Sequence, residues 1–176
     1  MLIVTSKSFN IHFQNNPIAL FLKQIDKKSF EDILQNIKSI SGTDHLYLKI
    51  YYNMYTMFID KSEEKYQIFK DSLYDNLKLF SKKNLQDLHY CLLVGNDSVI
   101  DPGKNITLEK LSIFDSMIRL NILTQPNGVL AEHVFMNYVN LSFQEFDIDR
   151  INTFSGKFID KLNKNIRSNT NLFIKG

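Results

Sequence analysis

The sequence predicts an all-α protein, a right-handed α-solenoid of antiparallel helix hairpins. Three observations carry that expectation. Apolar residues recur at i, i+3, i+4 and i+7 along most of the chain instead of alternating, which is the helical period. Breakers are scarce, with 6 Gly and 3 Pro in 176 residues, too few for a turn-rich β fold. The helical patterns also come in pairs across short capped breaks, most clearly from Leu120 to Leu162.

Each element follows from its own residues. Asn16-Pro17 reads as an N-cap with proline at the first helical position, opening a short helix to about Ile25. Ser29-Phe30-Glu31-Asp32 caps a second, with Phe30, Ile33, Leu34 and Ile37 on one face and Ser41-Gly42-Thr43 at its end. Asp44 caps the next, with Tyr47, Ile50, Tyr51, Met54 and Phe58 on one side. Ser62-Glu63-Glu64 opens a helix striped by Tyr66, Phe69, Leu73 and Leu77, its acidic residues at the positive end of the dipole. Ser81 caps a helix carrying Leu85, Leu88, Cys91 and Leu92, which fades through Gly95-Asn96-Asp97 into the turn Asp101-Pro102-Gly103. Thr107 restarts the pattern with Leu108, Leu111, Phe114 and Ile118, and Pro126-Asn127-Gly128 breaks it. Val134, Phe135, Tyr138 and Val139 mark a short helix. Asp147 caps the last full one, with Ile148, Ile151, Phe154, Phe158 and Leu162.

Hairpins therefore start near Asp44, Ser81 and Leu130, and a fourth opens near Ser168. Two of the intervals suit a two-helix repeat slightly longer than a tetratricopeptide unit, and the middle one carries the 97–105 loop as an insertion. Residues 1–42 read as an N-terminal helical segment or partial repeat. Residues 43–176 read as the helical-repeat domain, with its last repeat incomplete. A repeat buries its apolar face only against a neighbour. The expectation is therefore a fragment of a longer protein, with Leu172, Phe173 and Ile174 exposed or packed on a second molecule.

Composition bounds the function. The apolar share of 44% and charged share of 23% are those of a globular chain. Ala occurs only at Ala19 and Ala131, so Ser, Gly or larger residues must fill close helix crossings. The net charge of +2, with Arg only at Arg119, Arg150 and Arg167, does not demand nucleic acid. Arg150, Lys157, Lys161 and Lys164 nevertheless follow helical spacing and form a basic stripe able to flank a groove. Cys91 is the sole cysteine, which excludes an intrachain disulfide and fits the cytoplasm. Met1–Phe9 is too weakly apolar for a secretory leader, and no run reaches membrane-spanning length.

Motifs that carry chemistry are missing. His12, His45, His89 and His133 are scattered, and His89 and Cys91 at spacing two point to different helix faces. Cys91 belongs to an apolar stripe and reads as a small hydrophobe rather than a nucleophile. Gly95 and Gly103-Lys104-Asn105 lack phosphate-loop spacing, with seven residues between the glycines and Asn after Lys. Residues 101–112 are no calcium loop, because Ile106 and Ser112 stand where glycine and glutamate are needed. The pairs Glu31-Asp32, Glu63-Glu64 and Asp147 with Asp149 all sit at helix starts. Tyr47, Tyr51, Tyr52 and Tyr55 read as core-plus-rim residues rather than a binding ladder. No catalytic, cofactor-binding or metal-binding residue is assigned.

Several short marks recur together. They are Tyr90-Cys91-Leu92, Gly128-Val129-Leu130, Phe135-Met136-Asn137-Tyr138-Val139, Glu145-Phe146-Asp147, Phe158-Ile159 and Arg167-Ser168-Asn169. In order and spacing, the segment from Ser81 to Asn171 resembles a family of uncharacterised bacterial helical-repeat proteins, tetratricopeptide-like in layout. Leu141-Ser142-Phe143 departs from the Leu-Arg-Leu of that family. The resemblance implies the repeat fold and carries no activity with it. The expected function is a non-enzymatic scaffold binding a protein or peptide on a concave face, without cofactor or membrane. The alternatives are a nucleic-acid-associated accessory module using the basic C-terminal helix, and a non-catalytic helical segment of a larger enzyme. Self-association through the open last repeat is a further expected mode.

Overall fold

The computed structural model describes residues 43–99, 106–164 and 166–167, with short helical stretches at 28–29, 31–32 and 35. The helix expected near Asn16-Pro17, most of residues 1–42 and the tail at 168–176 lie outside the described residues. Among the described residues there are six α-helices and no strand. No helix among them is long and apolar enough to cross a membrane. The chain packs as two compact units, 1–104 and 105–176.

The first unit contains α1 (Thr43–Asp60), α2 (Glu63–Tyr74) and α3 (Lys82–Val99). Lys61 turns left-handed at φ 45° and closes α1 by donating its N–H to the Met57 carbonyl at 3.1 Å. Ser62 then caps α2, its hydroxyl accepting from the Lys65 N–H at 3.3 Å. A two-residue link between packed helices forces the chain to double back. Tyr66, Phe69 and Leu73 are buried from α2, and Ile50, Met54 and Met57 from α1. Asn53 on α1 donates to Ser72 on α2 at 3.1 Å. After a 3-10 turn at Leu77–Leu79, Ser81 caps α3 by accepting from the Asn84 N–H at 3.2 Å.

Helix α3 does not fade at Gly95 as the sequence pattern suggested; it continues to Val99. The reason is packing. A Cβ at Gly95 would stand 2.6 Å from Met57 Sδ and 2.7 Å from its Cε. The glycine makes room for Met57 of α1 against α3, a role small residues take in helix crossings.

The second unit contains α4 (Ile106–Arg119), α5 (Glu132–Gln144) and α6 (Ile148–Phe158), followed by a 3-10 turn at Ile159–Lys161. Its centre is aromatic. Tyr138 stacks on Phe154 with centroids 4.0 Å apart and meets the Phe114 ring edge-on at 5.8 Å. Phe154 also contacts Phe135 and Phe158, at 5.2 and 4.8 Å. Helix α4 ends at Arg119, ahead of the break expected at Pro126-Asn127-Gly128, because the chain already turns left-handed at Asn121. The later tripeptide makes a turn in the link to α5, with Gly128 at φ 79° and Asn127 accepting from the Val129 N–H at 3.0 Å. The Leu130 N–H donates to the Lys161 carbonyl at 2.9 Å, which ties the start of α5 to the end of α6.

Candidate functional site

The residues weighed for chemistry are held in packing roles. Cys91 is fully buried, and burial pushes its thiol far above the ordinary range, which suppresses the reactive thiolate. His89 is also fully buried. Its Nδ1–H donates to the Leu85 carbonyl at 2.7 Å, its ring meets Tyr74 edge-on at 5.6 Å, and burial lowers its pKa. His45 and His133 are half-buried; His12 lies outside the described residues. Among the described residues no three His, Cys, Asp or Glu side chains gather for a metal. Tyr55 is core, while Tyr47, Tyr51 and Tyr52 are half-buried with their hydroxyls hydrogen-bonded. Asn84 donates to the Tyr47 oxygen at 2.7 Å, the Tyr47 and Tyr51 oxygens are 3.3 Å apart, and Tyr52 donates to Glu31 at 3.1 Å. That is the core-plus-rim arrangement.

The basic stripe is broken up by the fold. Arg150 Nε donates to Asp147 at 3.0 Å and its NH1 to Asp115 at 3.2 Å. Arg167 pairs with Asp160 at 3.0 Å. Helix α6 ends at Phe158; Lys161 lies in the 3-10 turn that follows, and Lys164 beyond it. Lys157 and Lys161 each lie 5.3 Å from the Phe158 ring centre. Lys157, Lys161 and Lys164 are exposed.

What the second unit does present is a polar joint with an apolar rim. Asp115 on α4 accepts from the Tyr138 hydroxyl of α5 at 2.9 Å and from Arg150 of α6. Burial first, then the bond to Asp115, raises the Tyr138 pKa. Asp147 caps α6 by accepting from the Arg150 N–H at 2.9 Å while holding the same residue's guanidinium. One aspartate thus fixes three helices. Beside it lies an open depression of about 270 Å³ lined by Leu108, Ser112, Asp115, Arg119 and Arg150. The four α4 residues follow spacings of 4, 3 and 4 and share one helix face. Arg119 is exposed.

The rim is made of large apolar side chains left in solvent: Leu108 at 49%, Phe143 at 62%, Ile148 at 54% and Phe146 at 84% exposure. The Thr107 hydroxyl donates to Gln144 at 3.2 Å, which brings the start of α4 to the end of α5. Leu108 and Ile148 fall on apolar stripes that the sequence assigns to the core. Each stands in the first turn of its helix, at this same end of the unit.

Phe146 has a second peculiarity. It ends α5 in the left-handed region at φ 56°. The Asp147 N–H reaches the Ser142 carbonyl at 3.0 Å and the Phe146 N–H reaches Phe143 at 3.0 Å, the paired closure of a Schellman turn. The same closure ends α4, where Asn121 stands at φ 54° and the Ile122 N–H bonds Met117 at 3.0 Å. Asparagine tolerates that conformation; phenylalanine is strained in it by about 1 kcal/mol or more. The exposed ring recovers little of that through burial.

The arrangement offers no nucleophile paired with a base. It offers a solvent-facing set of aromatic and aliphatic groups beside charged side chains held in hydrogen bonds. Leu108, Ser112, Asp115 and Phe146 belong to no motif that marks them as site residues in sequence; their signal is the 4-3-4 spacing on α4 and a bulky residue at a position where glycine is usual. The chain matches no family profile, no curated protein and no solved structure.

Proposed function

We propose that this chain is a non-enzymatic helical scaffold whose second unit binds a protein or peptide segment. The observation that carries the reading is the gathering of Leu108, Phe143, Phe146 and Ile148 in solvent around an ordered polar joint. Exposed apolar clusters of this kind mark interaction surfaces. The sequence spacing of the hairpin starts and the marks between Ser81 and Asn171 support the finer reading of a tetratricopeptide-like α-solenoid belonging to the helical-repeat family named above. The single cysteine supports a cytoplasmic setting.

Panning a random peptide library against the intact chain tests the reading. Enriched peptides should lose affinity for Phe143→Ser and Ile148→Ser variants that keep the wild-type melting temperature. Enriched peptides indifferent to both substitutions would move binding elsewhere. Nucleic-acid affinity at physiological salt should stay in the weak nonspecific range. Tight binding of DNA or RNA lost in the Lys157, Lys161, Lys164 triple alanine variant would favour the accessory-module reading instead.

A further inference from the structure

Resting on that protein-binding reading, we infer that the α5–α6 corner of the second unit docks a basic, amphipathic peptide segment, one that presents apolar side chains flanked by lysine or arginine. Phe143, Phe146 and Ile148 supply the apolar contact and lie within six residues of one another across the turn between the two helices. Their exposure is not accidental to the backbone. The Schellman closure fixes the turn, and Asp147 caps α6 from inside it, so the aromatic groups sit on an ordered corner.

The charges around the corner select the sign of the partner. Glu145 and Asp149 immediately flank Phe146 and Ile148; Glu145 is half-buried and Asp149 exposed. Asp147 and Asp115 are also here, and they share the single guanidinium of Arg150. Arg119 also lines the depression, at the opposite end of α4 from Leu108. Four carboxylates against two arginines leave the corner negative. An acidic segment would therefore meet repulsion beside the aromatic groups. A lysine- or arginine-flanked one would place its cations against Glu145 and Asp149 while its apolar face covers the rings. Arginine has the added option of lying over the exposed Phe146 ring.

Phe146 also departs from what folding alone would select. Glycine or asparagine closes the turn with less strain, as Asn121 does at the end of α4. The ring is retained in solvent at a position that is strained for it, as expected of a contact residue.

Two dye-labelled helical peptides with one apolar pattern, differing only in lysine or glutamate at the flanking positions, separate the possibilities by fluorescence anisotropy with the full chain. The lysine peptide should bind at least about tenfold more tightly than the glutamate peptide. That preference should fall or invert in a Glu145→Lys, Asp149→Lys double variant. Phe146→Gly should weaken the lysine peptide while leaving the chain folded by circular dichroism. Equal binding of the two peptides, tighter binding of the glutamate peptide, or no binding by either overturns the charge assignment. The general binding reading survives any of these results if library-selected peptides still depend on Phe143 and Ile148. Concentration-dependent self-association of the chain that disappears in Phe146→Gly would overturn the proposal in favour of a second copy as the occupant.

Discussion

At the scale of single residues, the chain holds several side chains that work against its stability. Phe146 is strained without burial, so Phe146→Gly should stabilise the chain by about 0.5–1 kcal/mol, and Phe146→Asn by less. Urea unfolding checks this, and a loss of stability would mean that the ring packs on the fold. Ser142 is fully buried and its hydroxyl has no hydrogen-bond partner. An unpaired buried hydroxyl is costly and alanine is the better helix former, so Ser142→Ala should gain about 1 kcal/mol. Larger side chains should fail there, because the site is closed. Ser116, Ser142, Ser155 and Gly95 are small residues that an Ala-poor sequence uses inside its helix packing. The need for such residues was legible from composition. Which serines would take the role was not, since a buried serine and a surface serine look alike in sequence.

At the scale of elements, caps and turns were legible because their chemistry is local. Ser62, Ser81 and Asp147 accept from the first-turn N–H groups as their positions suggested. The joint made by Asp115 was not legible, because its partners are Tyr138, 23 residues on, and Arg150, 35 residues on. Its removal should be felt in three helices at once. Asp115→Ala takes away the carboxylate that the Tyr138 hydroxyl needs and one of two acceptors of Arg150. The Arg150–Asp115 pair is partly exposed and contributes little by itself. The bond from the mostly buried tyrosine is the larger loss, so the variant should lose about 2 kcal/mol, and Tyr138→Phe about 1. Denaturant titrations of both variants check the order. Equal or smaller loss in Asp115→Ala would show that the joint does not couple the helices. A double-mutant cycle between Asp115 and Arg150 would then isolate the ion pair.

At the scale of the whole molecule, the stability of the chain should depend on pH through His89. Burial holds its pKa below the ordinary 6.5, with the bond to Leu85 opposing part of the shift. Above 6.5 neither the folded nor the unfolded chain binds the proton, and the neutral ring contributes its full stability. As pH falls below 6.5 the unfolded chain takes up a proton that the folded one still refuses, so stability drops until the folded value is reached. Urea midpoints should therefore fall between pH 7.5 and 5.5, and less so in His89→Gln. An unchanged slope in that variant would assign the dependence to other groups. Asp87, raised by burial from 3.8 against the pull of Lys83, acts in the opposite sense, in a window opening at 3.8.

The sequence by itself determined that this protein is helical, where most of its helices begin, and which face of each is apolar. Periodicity, caps and breakers act over a few residues and are written in neighbouring positions. It misjudged the end of α3, because Gly95 reads locally as a stop and only the Met57 side chain of another helix makes it a contact. It also placed Leu108 and Ile148 in the core, since their spacing matches the buried stripes. The tertiary structure alone decided that the first turns of α4 and α6 reach past the packed centre into solvent. Burial depends on where a helix ends relative to its neighbours, and no local pattern records that distance.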